Sequence, residues 1–121
     1  MSARLILPIL RKARAGSRAL DARIYLSLQD IRPYGRNANW EVVVARYEVP
    51  EYSTNIQSAM TILGPDWFWE MAIGMEKSRV LATNASIGAA SHWQIAPTAA
   101  LACCLAGFTI LDRQATIRRA A

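Results

Sequence analysis

Two cysteines and one histidine in 121 residues leave little from which to build a metal or redox centre. The cysteines, Cys103 and Cys104, are adjacent. Neighbours on a helix point about 100° apart, so this pair can neither bond to each other readily nor share a ligand. Two buried free thiols, behaving as small hydrophobes, are expected, with no metal and no cofactor. The phosphate-cradling, dinucleotide-binding and zinc-protease patterns are all missing, as is any CxxC. Ser91 lies directly beside His92 and cannot fold back as its nucleophile. Glu70 and Glu76 have no second carboxylate at a fixed working distance. His92 therefore reads as a loop histidine, and no catalytic residue is expected.

A secretory signal is also missing: the apolar run Leu5–Leu10 is short, and the basic pair Arg11-Lys12 follows it instead of preceding it. That leaves the cytoplasm as the expected location. Nor is there an uncharged apolar run of the roughly 20 residues a membrane span requires. The nearest candidate is APTAALACCLAGFTIL, residues 96–111, rich in alanine. It predicts a buried helix opened by Pro97 in its first turn. Leu101, Cys104, Leu105, Phe108 and Leu111 share one face at helical spacing, and Ala99, Ala102, Cys103 and Ala106 share the other. A helix apolar all round is covered on more than one side. No repeat or low-complexity tract interrupts the chain.

What is present is a 53% hydrophobic chain, enough for the core of a single domain over residues 1–121. The net charge of +5 is unevenly spread. Residues 1–36 carry eight basic groups against Asp21 and Asp30, residues 37–112 carry three basic against seven acidic, and Arg113, Arg118 and Arg119 follow. Residues 1–16 read as a basic helix appended to the domain and residues 114–121 as a basic tail.

Along the chain, residues 3–14 predict an amphipathic helix with Leu5, Ile9 and Leu10 inward and Pro8 awkwardly placed. Ser17 is a natural N-cap for a second helix over 18–28, with Leu20, Ile24, Leu28 and Tyr25 as its stripe. Residues 40–49, WEVVVARYEV, are β-branched and aromatic and predict a strand. A helix over 52–63 follows, with Thr54 and Gln57 forming a capping box. Residues 67–75, WFWEMAIGM, alternate: Trp67, Trp69, Met71, Ile73 and Met75 face the core, Phe68, Glu70, Ala72 and Gly74 the other way. A polar turn at 76–79 leads to an antiparallel partner over 80–87, then a loop or short strand over 88–96. The order predicts an α+β domain, a small antiparallel sheet sandwiched by helices.

The second half resembles the phage ABA sandwich domain family, small proteins of phages and prophages. The resemblance rests on Pro50-Glu51-Tyr52-Ser53-Thr54 opening a helix and Ser58-Ala59-Met60 within it. It continues through Gly64-Pro65-Asp66-Trp67 and Trp69, then Ala96-Pro97-Thr98 leading to Ala100-Leu101 and Cys104. Leu20-Asp21-Ala22-Arg23-Ile24 is similar to the helix that precedes the domain in alphaproteobacterial members. It covers about residues 18–113. The resemblance implies a helix–sheet–helix sandwich and a mobile-element origin; it implies no activity and supplies no catalytic residue.

Two functional readings compete. In the first, the chain is a non-enzymatic accessory protein that binds a host protein such as a defence complex. Tryptophan is favoured at binding hot spots, and Trp40, Trp67, Trp69 and Trp93 are many for this length. In the second, Arg11, Lys12, Arg14 and Arg18 neutralise phosphates while Tyr25, Tyr34 and Trp40 stack on bases. The candidate partner-contact residues are Arg11, Lys12, Arg14, Arg18, Tyr34, Trp40 and Trp93.

Overall fold

The structure, a computed structural model, describes residues 3–29 and 39–120. Nine elements follow one another: α1 (Ala3–Lys12), α2 (Arg18–Gln29), α3 (Trp40–Arg46), α4 (Ile56–Met60), β1 (Phe68–Ile73), β2 (Ser78–Asn84), β3 (Ala89–Ala90), β4 (Gln94–Ala96) and α5 (Ala99–Ala120). This is an α+β protein built on one antiparallel sheet, in close to the expected order.

α5 is the axis of the fold. One side lies on β2, β4 and β1, and its flanks carry α1 and α4. Leu101, Ala102, Cys103, Cys104, Ala106 and Phe108 lose essentially all contact with solvent. The stretch Ala99–Ile117 has the length and mean hydropathy, 1.2, of a membrane span, but here the sheet and two helices take up its apolar surface. Gly107 makes the closest approach possible: a Cβ there would meet Ile62 Cγ2 at 2.7 Å. The helix does not end near Asp112 as the charge pattern predicts. It runs on to Ala120, so residues 114–120 are helix and not a tail. Arg113 Nη1 donates to Ala90 O at 2.6 Å, tying that extension to β3.

α1 buries Ala3, Ile6, Leu7 and Leu10. Leu5 and Ile9, expected inside, are exposed, because only the 3-6-7-10 stripe fits α5 while leaving Pro8 outward. The N-cap of α2 is as expected, with Ser17 Oγ accepting from Leu20 N–H at 3.1 Å. α2 is two-sided: Leu20 and Ile24 join the main core, and Ala22 and Leu26 pack on Val43 and Val49.

Residues 40–46 are helix, not strand. Asn39 caps them by accepting from Glu41 N–H at 2.9 Å, and Arg46 lies in the last turn. Val43 and Val44 turn toward α2, and Tyr47 stacks on Tyr25 with ring centroids 5.4 Å apart. Trp40, Val43, Val44 and Tyr47 fall at helical spacing, whereas a strand would group Trp40, Val42, Val44 and Arg46, and packing on α2 decides for the helix. α4 is shorter than the predicted 52–63. Asn55, not Thr54, is its cap, accepting from Ser58 N–H at 3.0 Å. Ser53 is spent elsewhere, as described below.

β1 and β2 form the predicted antiparallel hairpin, Phe68 opposite Thr83 through Ile73 opposite Ser78. On the other side of β2 lie β3, at its Thr83-Asn84 end, and β4, at its Ser78–Val80 end. Ser91 bridges the gap between them: its N–H donates to Ala82 O at 2.8 Å and its Oγ accepts from Ala82 N–H at 2.9 Å. The predicted phase of β1 is right: Trp67, Trp69 and Met71 pack on the core and Glu70 is exposed. Ile73 and Met75, expected inward, stand in the open, since the hairpin projects past the helices. Among the described residues the helices contact the sheet through one face only, so the sandwich closes on a single side.

Candidate functional site

Directly opposed residues of an antiparallel pair share a face. The register therefore puts Phe68, Glu70 and Ala72 of β1, Arg79, Leu81 and Thr83 of β2, Ala90 of β3 and Ile95 of β4 on the face turned away from α5. Phe68 is 78% exposed and Ile95 60%. Arg79 lies over the Trp93 ring, its guanidinium carbon 5.0 Å from the centroid, and Trp93 is itself 42% exposed. The apolar members outnumber the two charged ones, Glu70 and Arg79. At the hairpin end the surface dips into a shallow hollow of about 380 Å³ bordered by Ala72, Gly74, Lys77, Arg79 and Ile95. Such a surface can bury a complementary apolar strip and orient it through one cation and one anion.

The candidate contact residues do not form one site. Arg11, Lys12 and Arg14 are exposed at the C-terminal end of α1, where positive charge also suits the helix dipole. Trp40 opens α3 and is partly exposed, and Trp93 belongs to the sheet face just described. Tyr34 lies outside the described residues.

Arg18 is engaged within the fold. Its Nη1 pairs with Asp21 Oδ2 at 3.0 Å and its Nη2 donates to Val49 O at 2.9 Å. Asp21 is fully buried, and its Oδ1 accepts from Ser53 N–H at 2.7 Å and from Ser53 Oγ at 2.5 Å. Ser53 Oγ in turn accepts from Ser17 N–H at 2.9 Å. This network pins the segment after α3 onto the start of α2. Gly16 is required beside it, because a Cβ there would strike the Ser53 carbonyl.

Both thiols are free and buried. Burial pushes Cys103 up to about 12 and raises Cys104 as well, so neither is a ready nucleophile. Cys104 Sγ donates to Tyr52 O at 3.4 Å. His92 is exposed between β3 and β4, and its carbonyl accepts from Gln94 Nε2 at 3.3 Å. Sequence reasoning missed Phe68, Arg79, Leu81 and Ile95 as surface contacts. The alternation of β1 did place Phe68 on the outer face, but β4 was legible only as a loop or short strand, so the face had no visible third row.

Fold and surface together define a small α+β protein with an open-faced antiparallel sheet. Compared with known family models, curated proteins and solved structures, the chain matches none.

Proposed function

We propose that this chain is a non-enzymatic binding protein that docks a partner protein on the open face of its sheet. The supporting observation is the apolar patch of exposed Phe68, Ile95 and Trp93 with the half-buried Leu81, on a face that no described helix covers, with Arg79 and Glu70 as its charged members. Contiguous apolar surface on a soluble domain marks interaction sites, and the tryptophan–arginine stack is of the kind that anchors them. The resemblance to phage and prophage accessory proteins adds a class of partner, a host protein such as a defence complex. In this reading Arg11, Lys12 and Arg14 accelerate encounter with an acidic partner surface and add little to affinity.

A second reading, binding of single-stranded nucleic acid, is favoured by Phe68 and Trp93 as stacking platforms beside Arg79. Glu70 on the same face opposes it. Two measurements separate the readings. A photocrosslinking side chain at Ile95 is expected to capture one host protein, while the same group at Ile117, an exposed position on α5, captures none; Phe68→Asp abolishes the capture. A nucleic-acid probe is expected not to shift at micromolar protein and near-physiological salt. A salt-sensitive shift lost on Phe68→Asp would replace the first reading with the second.

A further inference from the structure

β1 is an edge strand. Its inner side is taken by β2, and among the described residues nothing pairs with its outer side. The hairpin closes with Gly74 N–H donating to Lys77 O at 3.1 Å. Hydrogen-bonded pairs alternate along an antiparallel ladder, so Phe68, Glu70 and Ala72 turn their backbone groups toward β2. Trp69, Met71 and Ile73 turn theirs outward. Unpaired backbone groups on an apolar edge are a template for another strand.

The same strand is apolar at both ends of its helix-side face, but the two ends differ. At the N-terminal end, Trp67 and Trp69 border an open cleft of about 330 Å³, completed by Met60, Thr61, Gly64 and Pro65. At the C-terminal end, Ile73 is 65% exposed, at the border of the hollow beside Ile95, and Met75 is fully exposed. One end is a concavity; the other carries loose apolar side chains. A two-fold axis through the middle of the strand brings each against the other's counterpart, which is the requirement for a self-complementary interface.

The geometry points to a second copy of this chain as the occupant: two β1 strands pair antiparallel about Met71. Each copy then seats Ile73 opposite the partner copy's Trp69 and carries Met75 toward its Trp67 cleft. Side chains choose the register. Backbone parity also permits centring on Glu70, but that sets two carboxylates face to face, which is unfavourable. Centring on Met71 sets Glu70 opposite Ala72 of the other copy. The small Ala72 has Arg79 as its neighbour on β2, so each Glu70 reaches across a methyl group toward the partner copy's Arg79. The open face of each sheet becomes half of one continuous face, an addition to the binding surface proposed above that does not depend on it.

Sedimentation velocity over a concentration series tests this on the full chain. The unmodified protein is expected to pass from monomer to dimer as concentration rises. Ala72→Glu sets a carboxylate opposite Glu70 at both ends of the paired strands and is expected to weaken the dimer roughly tenfold. Adding Glu70→Lys to that variant is expected to restore it, because opposite charges then face each other. Both positions are exposed, and thermal melts matching the parent show that the fold is kept. A protein that stays monomeric to its solubility limit overturns the proposal. So does a dimer indifferent to Ala72→Glu, or one that the double variant fails to restore.

Discussion

Asp21 is the residue on which most depends. A carboxylate without solvent is tolerable only with partners, and Arg18, Ser53 Oγ and Ser53 N–H supply them. Asp21→Ala leaves the buried Ser53 N–H without its acceptor, while the part-exposed Arg18 keeps the Val49 carbonyl, so it is expected to cost about 1–3 kcal/mol, read from urea unfolding. Its role was not legible in the sequence. An acid in the first turn of a helix looks like a surface group suited to the helix dipole, and the partner that buries it, Ser53, lies thirty-two positions away. Arg18 misled for the same reason: next to Arg11, Lys12 and Arg14 it looked like one more surface cation. The thiols, by contrast, read correctly as buried, since small side chains within an uncharged helical run have nowhere wet to go. They also predict an alkaline weakness. An unfolded thiol ionises near its ordinary 9.0, whereas burial holds folded Cys103 protonated until about 12. Within that window only the unfolded chain releases the proton, so stability is full below pH 9 and drains away above it. A Cys103→Ala, Cys104→Ala double variant is expected to show a shallower loss of unfolding free energy between pH 9 and 11 than the parent.

At the scale of elements, α5 and the β1–β2 hairpin were legible and α3 was not. The hairpin announced itself by strict alternation over Trp67 to Met75 with a polar turn after it. α5 announced itself by apolar positions at helical spacing on two opposite faces, and its covering by sheet and helices together is what such a pattern demands. Leu105 is 3% exposed there. Leu105→Asp would set an unpaired charge in that interior and is expected to abolish cooperative unfolding, seen as loss of the sigmoidal transition by circular dichroism. WEVVVAR defeated the reading because valine propensity for strands is weak against context. The segment has no strand beside it among the described residues, while Ala22, Tyr25 and Leu26 offer it a helical groove. The missing row of the open face has a similar origin. β4 spans three residues, Gln94–Ala96, too few to show a period, and it exists because β2 is there to pair with.

For the whole molecule, the charges of Arg11, Lys12 and Arg14 are separable from the fold and that of Arg18 is not. Arg11, Lys12 and Arg14 are exposed and form no salt bridge among the described residues, so changing all three to Glu is expected to shift stability by no more than about 0.5 kcal/mol. Extending the change to Arg18→Glu is expected to unfold the domain, because the new carboxylate would face Asp21. Differential scanning calorimetry of the triple and quadruple variants checks both. The placement of α5 at the centre has a further consequence, for how the molecule comes into being. The ribosome makes α5 after every element that leans on it: α1, α4 and the sheet all exist before the helix that covers their apolar sides. Domains acquire their structure as units during synthesis when their parts emerge in a usable order; here the order is reversed. The nascent chain must carry Ile6, Leu10, Val80 and Trp69 without their main packing partner until the first half of the helix, Leu101 to Ile110, has cleared the exit tunnel. Arrested chains ending before Ala99 are therefore expected to be digested by protease throughout, and chains extended beyond Ala120 by a tunnel-length linker to resist.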